Sequence, residues 1–161
     1  MKTKLTKLKA QFEALGKEIK RLEQPTGVYR PKEGDEYWCI NLGGNVFSMT
    51  WENEGIDQKN LALGSVYRTK ELAQAHVAYL TALTTIKHYI ADNDLGLVAD
   101  WSDNKQHKHY IYYAHSKKEF WTDQSLWSQT FSPFGYLKSK EACEELIKAC
   151  QSELMTVLRY E

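Results

Sequence analysis

The chain has 161 residues, 42% of them apolar, with 21 basic side chains against 21 acidic ones. That is length for one globular domain or two small repeats with an extension, and a net charge of zero excludes the basic footprint of a general nucleic-acid or membrane-surface binder. Three cysteines (Cys39, Cys143 and Cys150), odd in number and without repeating spacing, exclude a disulfide framework.

The charge is uneven along the chain. Residues 1–24 hold seven Lys/Arg and three Glu, leaving 14 basic against 18 acidic for the remainder. In that first segment Leu5, Leu8, Phe12, Leu15, Ile19 and Leu22 follow at intervals of three and four. This is a three-heptad apolar seam, and it predicts an amphipathic helix from Lys2 to Glu23 that self-associates or packs on a partner. Gln24-Pro25-Thr26-Gly27 ends it. With Leu5 as an a position, Lys4 and Glu18 are g positions and Lys9 and Glu23 are e positions. A parallel pair would set like charges together. An antiparallel pair sets Lys4 against Glu18 and Lys9 against Glu23, so homo-oligomerisation through antiparallel packing is expected. Gly16 weakens the lone helix by about 1 kcal/mol relative to Ala, so it needs a docking surface.

Residues 28–91 read as a first sheet-plus-helix unit. After the Pro- and Gly-containing lead-in to Glu36, the runs Tyr37–Asn41 and Val46–Trp51 flank Gly43-Gly44-Asn45 as a hairpin. Glu52 to Asn60 reads as a polar loop and Gly64–Arg68 as a third short strand. Thr69 caps a helix with Glu71 in its first turn and an apolar stripe of Leu72, His76, Tyr79, Leu83, Ile86 and Ile90. Residues 92–108 are polar and read as a linker. Residues 109–161 repeat the order: a strand His109–Ala114, a turn His115–Lys118, a return strand Glu119–Trp121, a short strand Phe134–Lys138, and a helix capped by Ser139. Its stripe is Cys143, Leu146, Ile147, Cys150, Leu154 and Leu158. On one helix, Cys143 and Cys150 lie about 10 Å apart, too far to bridge. Arg68-Thr69-Lys70-Glu71 and Lys138-Ser139-Lys140-Glu141 match across the two halves. The fold class expected is α+β: an N-terminal amphipathic helix followed by two tandem antiparallel sheet-plus-helix units.

The run from Pro31 to Trp38, the glycine hairpin, Thr69-Lys70-Glu71-Leu72-Ala73 and Phe134–Ala142 resemble small uncharacterised accessory proteins encoded by bacteriophages and prophages. In these an aromatic hairpin precedes a short strand and a Thr/Ser-x-Glu helix start, often after a heptad N-terminus. The resemblance covers the organisation of residues 2–150. It implies a small intracellular phage-type protein and brings no catalytic residues with it.

No residue pattern points to catalysis, a metal or a cofactor. His107 and His109 alternate on one strand face near His115, without a third ligand at usable spacing for zinc. Asp92-Asn93-Asp94-Leu95-Gly96 lacks the further oxygen ligands of a calcium loop and reads as a helix exit. Cys39 lies between Trp38 and Ile40, which favour an inert core thiol. Gly43-Gly44 is followed by no helix or Lys-Ser/Thr pair and is a hairpin turn rather than a phosphate loop. The 20 aromatic residues are the chemical feature of the body. Tyr110 and Tyr112 share a strand face, and Trp121, Leu126 and Trp127 follow, giving candidate partner-binding residues. In the arm, Lys2, Lys4, Lys7 and Lys9 are candidate phosphate contacts.

The expected function is non-enzymatic: binding of a host protein through an aromatic sheet surface, with residues 5–22 mediating self-association. The alternative is a nucleic-acid-binding protein that uses the basic helix and aromatic stacking. A charged N-terminus without an apolar signal core, and no apolar stretch of membrane-spanning length, predict a cytoplasmic protein without a membrane partner. Replacing Leu15 and Ile19 together by Asp is expected to convert a dimer to a monomer; an unchanged mass by light scattering would refute self-association through this seam.

Overall fold

The computed structural model describes residues 29–160. The expected helix of residues 2–23, with its seam Leu5, Leu8, Phe12, Leu15, Ile19 and Leu22 and its lysines, lies outside the described residues. Within them the protein is α+β, with four helices and two antiparallel sheets. Packing divides it into two units. One runs up to Asn41 and resumes over Asn45–Lys70; the other comprises Leu42–Gly44 and the chain from Glu71 on.

The first unit is built on the hairpin of β1 (Glu36–Ile40) and β2 (Val46–Thr50), in register with Tyr37 opposite Met49 and Cys39 opposite Phe47. Gly44 adopts φ +77, a conformation that L side chains rarely adopt. Alternation turns Tyr37 and Cys39 inward, where they meet Trp51 and Val66. The Tyr37 and Trp51 rings pack edge-on, 5.7 Å apart. The expected third strand at Gly64–Arg68 is reduced to one bridge. The Trp38 amide donates to the Tyr67 carbonyl (2.9 Å) and the Tyr67 amide to the Trp38 carbonyl (2.8 Å). Gly64, at φ +68, and the helix that starts at Lys70 leave little chain between them to extend.

The expected loop Glu52–Asn60 is instead largely helical, forming α1 (Gly55–Ala62). It escaped the sequence reading because its buried residue is a carboxylate, so no apolar period marks it. Asp57 is buried and accepts the Tyr37 hydroxyl (2.7 Å) together with the amides of Glu52 (3.0 Å) and Glu54 (3.1 Å). Asn60 Nδ2 in turn donates to the Tyr37 hydroxyl (3.2 Å). The bond from Tyr37 foremost, then the amide bonds, hold the Asp57 carboxyl below the usual carboxylate range against the opposing effect of burial. Burial first, and then the Asp57 carboxylate, push the Tyr37 phenol up to about 12. A polar knot thus fixes the helix start to the hairpin.

In the second unit α2 (Lys70–Asp92) starts directly after Thr69, as the sequence predicts. The chain turns out of it at Asp94, whose φ is +51; the Leu95 amide returns to the Ile90 carbonyl (2.9 Å) and Lys138 pairs with the Asp94 carboxylate (2.5 Å). The strands β3 (Gly96–Leu97), β4 (Lys108–Ala114), β5 (Glu119–Ser125) and β6 (Tyr136–Leu137) form one antiparallel sheet in the order β3-β6-β4-β5. The expected linker 92–108 therefore carries an edge strand, too short at two residues to show any period. The return strand runs past Trp121 to Ser125, because Thr122, Asp123, Gln124 and Ser125 continue its pairing with β4. The last helix is two: α3 (Lys140–Ala149), capped by the Ser139 hydroxyl accepting the Ala142 amide (3.2 Å), and α4 (Gln151–Tyr160). The backbone leaves helical geometry at Cys150 (φ −119, ψ 32) while its side chain stays buried, so one apolar stripe runs across the break.

The core of this unit gathers Ala82, Ile86 and Ile90 from α2, Cys143 and Leu146 from α3, Leu154 and Val157 from α4, and Leu137 from β6. Ile111 and Phe120 pack against it from β4 and β5. The helix expected to close the first repeat thus contributes its stripe to the second core, and the sheets have two and four strands rather than three each. The two units are not copies of one another.

Leu146 has no exposed surface, and Leu146→Ala is expected to cost about 2–5 kcal/mol by urea denaturation. The depressed Asp57 carboxyl contributes stability that is present above the ordinary carboxylate pKa and is lost as pH falls through its lower folded value. Urea midpoints between about pH 5 and pH 2 are therefore expected to fall more steeply for the wild type than for Asp57→Asn. Parallel slopes would rule out this role.

Candidate interaction surface

The pairing register sorts the side chains of β4 and β5 onto two faces. Tyr112 lies opposite Trp121, Tyr110 opposite Asp123, Lys108 opposite Ser125 and Ala114 opposite Glu119, so these eight share one face. His109, Ile111, Tyr113, Phe120, Thr122 and Gln124 share the other. Leu137 of β6 pairs with His109 and belongs to the second set, which leaves Tyr136 and, across β3, Leu97 on the first. The core lies on the face of Leu137, Ile111 and Phe120, where α2, α3 and α4 gather. Among the described residues no helix contributes a core residue to the other face.

That face is aromatic. Tyr112 is 40% exposed and Trp121 44%, with ring centroids 6.5 Å apart; Tyr110 lies 6.5 Å from Tyr112. Two carboxylates orient these rings. Trp121 Nε1 donates to Glu119 Oε1 (2.9 Å), and the Tyr110 hydroxyl donates to Asp123 Oδ2 (3.3 Å). Burial first, and then the Asp123 charge, raise the Tyr110 phenol above its ordinary pKa. Side chains held by such bonds keep a fixed surface that loses little entropy on contact.

Toward β3 the same face is closed by the loop before β4. Trp101 packs edge-on against Tyr136 (5.5 Å), whose hydroxyl donates to the Thr130 carbonyl (2.6 Å) and accepts the Thr130 amide (2.7 Å). Beneath Trp101 the Lys108 side chain has no exposed surface; its ammonium donates to the Asp103 carbonyl (2.9 Å) and stands 5.1 Å from the indole centre. The Ser102 hydroxyl and amide bind the Asp100 carboxylate and hold its pKa down, with Lys108 adding to the effect. One half of the face is therefore built over, and no described element covers the half carrying Tyr110, Tyr112 and Trp121.

Of the five residues expected from the sequence to bind a partner, Tyr110, Tyr112 and Trp121 come together here. Leu126, half-buried, and Trp127, 72% exposed, follow directly past the end of β5. Trp101 and Tyr136 were not among the expected set. Trp101 falls in a stretch that reads as a linker, and only the register of β6 turns Tyr136 toward this face. The candidate phosphate contacts Lys2, Lys4, Lys7 and Lys9 lie outside the described residues.

His107 and His109 do stack, at 6.2 Å, and His107 Nδ1 engages Gln124 Oε1 (2.8 Å). Among the described residues no three His, Cys, Asp or Glu side chains converge as a metal site. All three cysteines are buried free thiols. Burial raises the pKa of each, that of Cys143 to about 12, so they remain protonated. Among the described residues no helix is long and apolar enough to cross a membrane. No protein-family model, curated protein or solved structure matches this chain.

Proposed function

We propose that the protein is a non-catalytic binding protein that docks on another protein through the open half of its second sheet, centred on Tyr112 and Trp121. The observation that carries this reading is the division of that sheet: three helices gather on one face, while the other presents the exposed rings of Tyr112 and Trp121, with Trp121 held by Glu119 and the neighbouring Tyr110 by Asp123. Rigid, half-exposed Tyr and Trp side chains with polar neighbours are what protein interfaces use as anchors. The resemblance to phage accessory proteins makes a host-cell protein in the cytoplasm the partner class. Inhibition of a defence or metabolic component is one outcome of such docking. Self-association through residues 5–22 accompanies this reading and rests on the sequence alone.

The charge of the face favours protein over nucleic acid. Its ionisable groups on β4 and β5 are the carboxylates Glu119 and Asp123 and the buried Lys108, an arrangement that repels phosphate. Stacked bases on Trp121 would bring a phosphodiester backbone toward Glu119. A partner with apolar anchors inside a basic rim suits this surface.

The test is capture of host proteins on the tagged full chain, followed by titration of the single retained protein against variants. Trp121→Ala and Tyr112→Ala are each expected to weaken binding about tenfold or more. Their melting temperatures should stay close to wild type, since both rings are half-exposed and neither belongs to a buried core cluster. A partner still held by the double variant would overturn the reading. Co-purifying nucleic acid released by raising salt would favour the basic-arm alternative.

A further inference from the structure

Within that docking reading, on which this inference rests, the backbone of β5 offers a more specific mode of recognition. β5 is the outermost strand of its sheet and pairs with β4 over all seven residues without a bulge. It contains no proline and no lysine, and its two charges, Glu119 and Asp123, are carboxylates that discourage an acidic strand and favour a basic one. Among the described residues no backbone group outside β4 hydrogen-bonds to it.

The direction of its peptide groups follows from the ladder. The Lys138 amide donates to the Leu95 carbonyl (2.9 Å), so Lys138 turns toward β3 and Leu137, one residue earlier, toward β4. His109, paired with Leu137, then directs its N–H and C=O at β6. Gln124, opposite His109, must direct its own away from β4, and by alternation so must Thr122 and Phe120. The Gln124 amide agrees: it donates to the Asp123 carboxylate (2.8 Å), where an incoming carbonyl would accept.

We infer that the outer edge of β5 takes up an extended segment of the partner as a fifth, antiparallel strand, with apolar and basic side chains alternating along it. A residue set opposite Phe120, Thr122 or Gln124 falls on the helix-bearing face, where Phe120 packs into the core, and is apolar. Its neighbours fall on the aromatic face, beside Glu119, Trp121 and Asp123, and are Lys or Arg. There a cation meets a carboxylate on either side and an indole between them. The site ends at Ser125, whose hydroxyl accepts the Ser128 amide (2.9 Å) as the chain turns away.

The probe is the synthetic peptide acetyl-Lys-Val-Lys-Val-Lys-Val-Lys-amide, titrated into the full chain and followed by tryptophan fluorescence. Saturable one-to-one binding is expected below about 1 mM. Methylating the three valine nitrogens, which would donate to β5, is expected to weaken it about tenfold or more; methylating the inner lysine nitrogens, which face away, should change it by no more than about twofold. Thr122→Pro removes one outward N–H while leaving the ladder to β4 intact and should abolish binding, a proline being tolerated at that side of an edge strand. If Thr122→Pro does not fold, the two methylated peptides decide alone. Equal affinity for the valine-methylated peptide would overturn strand addition while leaving docking on the aromatic face standing. No binding of the parent peptide, while Trp121→Ala still loses the captured host protein, would do the same. A wild-type dimer that Thr122→Pro turns into a monomer would assign the edge to a second copy and overturn the proposal.

Discussion

Everything distinctive in the second unit follows from how its four-stranded sheet is covered. Ile86, Leu137, Cys143 and Leu146 have no exposed surface, and they come from α2, β6 and α3. Three amphipathic helices bury their stripes on the same face of a narrow sheet, and each fully buried aliphatic side chain there contributes about 1.5–3 kcal/mol of transfer free energy. Among the described residues no apolar helix face remains for the other side. The residues that alternate outward from β4 and β5 therefore have to be stable in partial contact with water, a condition that Tyr and Trp, with an apolar body and a polar handle, satisfy. The aromatic surface is thus a consequence of the packing as well as a candidate for recognition.

The first unit solves a different problem. Among the described residues its apolar cluster is small, four buried residues around one hairpin. A polar knot supplements it, in which one carboxylate accepts a phenol and two amides. Such a network is favourable only when each member is satisfied, and Tyr37, Asp57 and Asn60 form a closed set. The short helix α1 exists because Asp57 binds the amides at its start, in place of the apolar stripe that most helices rely on.

Legibility in the sequence tracks the physical origin of each element. Both hairpins and the two helix starts after Thr69 and Ser139 were readable, since alternation, turn residues and capping side chains are local signals. The α1 helix was hidden by Asp57, whose burial no hydropathy pattern records. β3, at two residues, owes its existence to a partner distant in sequence, whereas β6 falls inside the short strand expected over Phe134–Lys138. The break at Cys150 interrupts the backbone while sparing the apolar stripe. At the surface, Tyr110 and Tyr112 could be placed on one face by counting in twos, whereas Trp121 joins them only through the β4–β5 register. That this face was the uncovered one depended on where α2 packs, and the sequence pattern assigned α2 to the first repeat.

The strand order β3-β6-β4-β5 also dictates a sequence of events at the ribosome. β6 lies between β3 and β4, yet it is made about forty residues after β3 and after the β4–β5 hairpin is complete. Among the described residues, β3 has no neighbour until Leu137 emerges, and the side chains that cover the stripe of α2 follow with Leu146 and Leu154. A nascent chain therefore carries the β4–β5 hairpin and the apolar stripe of α2 until α3 and α4 are made. The last helices close the structure in one step, and a chain truncated before α3 would present the apolar surface on which chaperones and aggregation act.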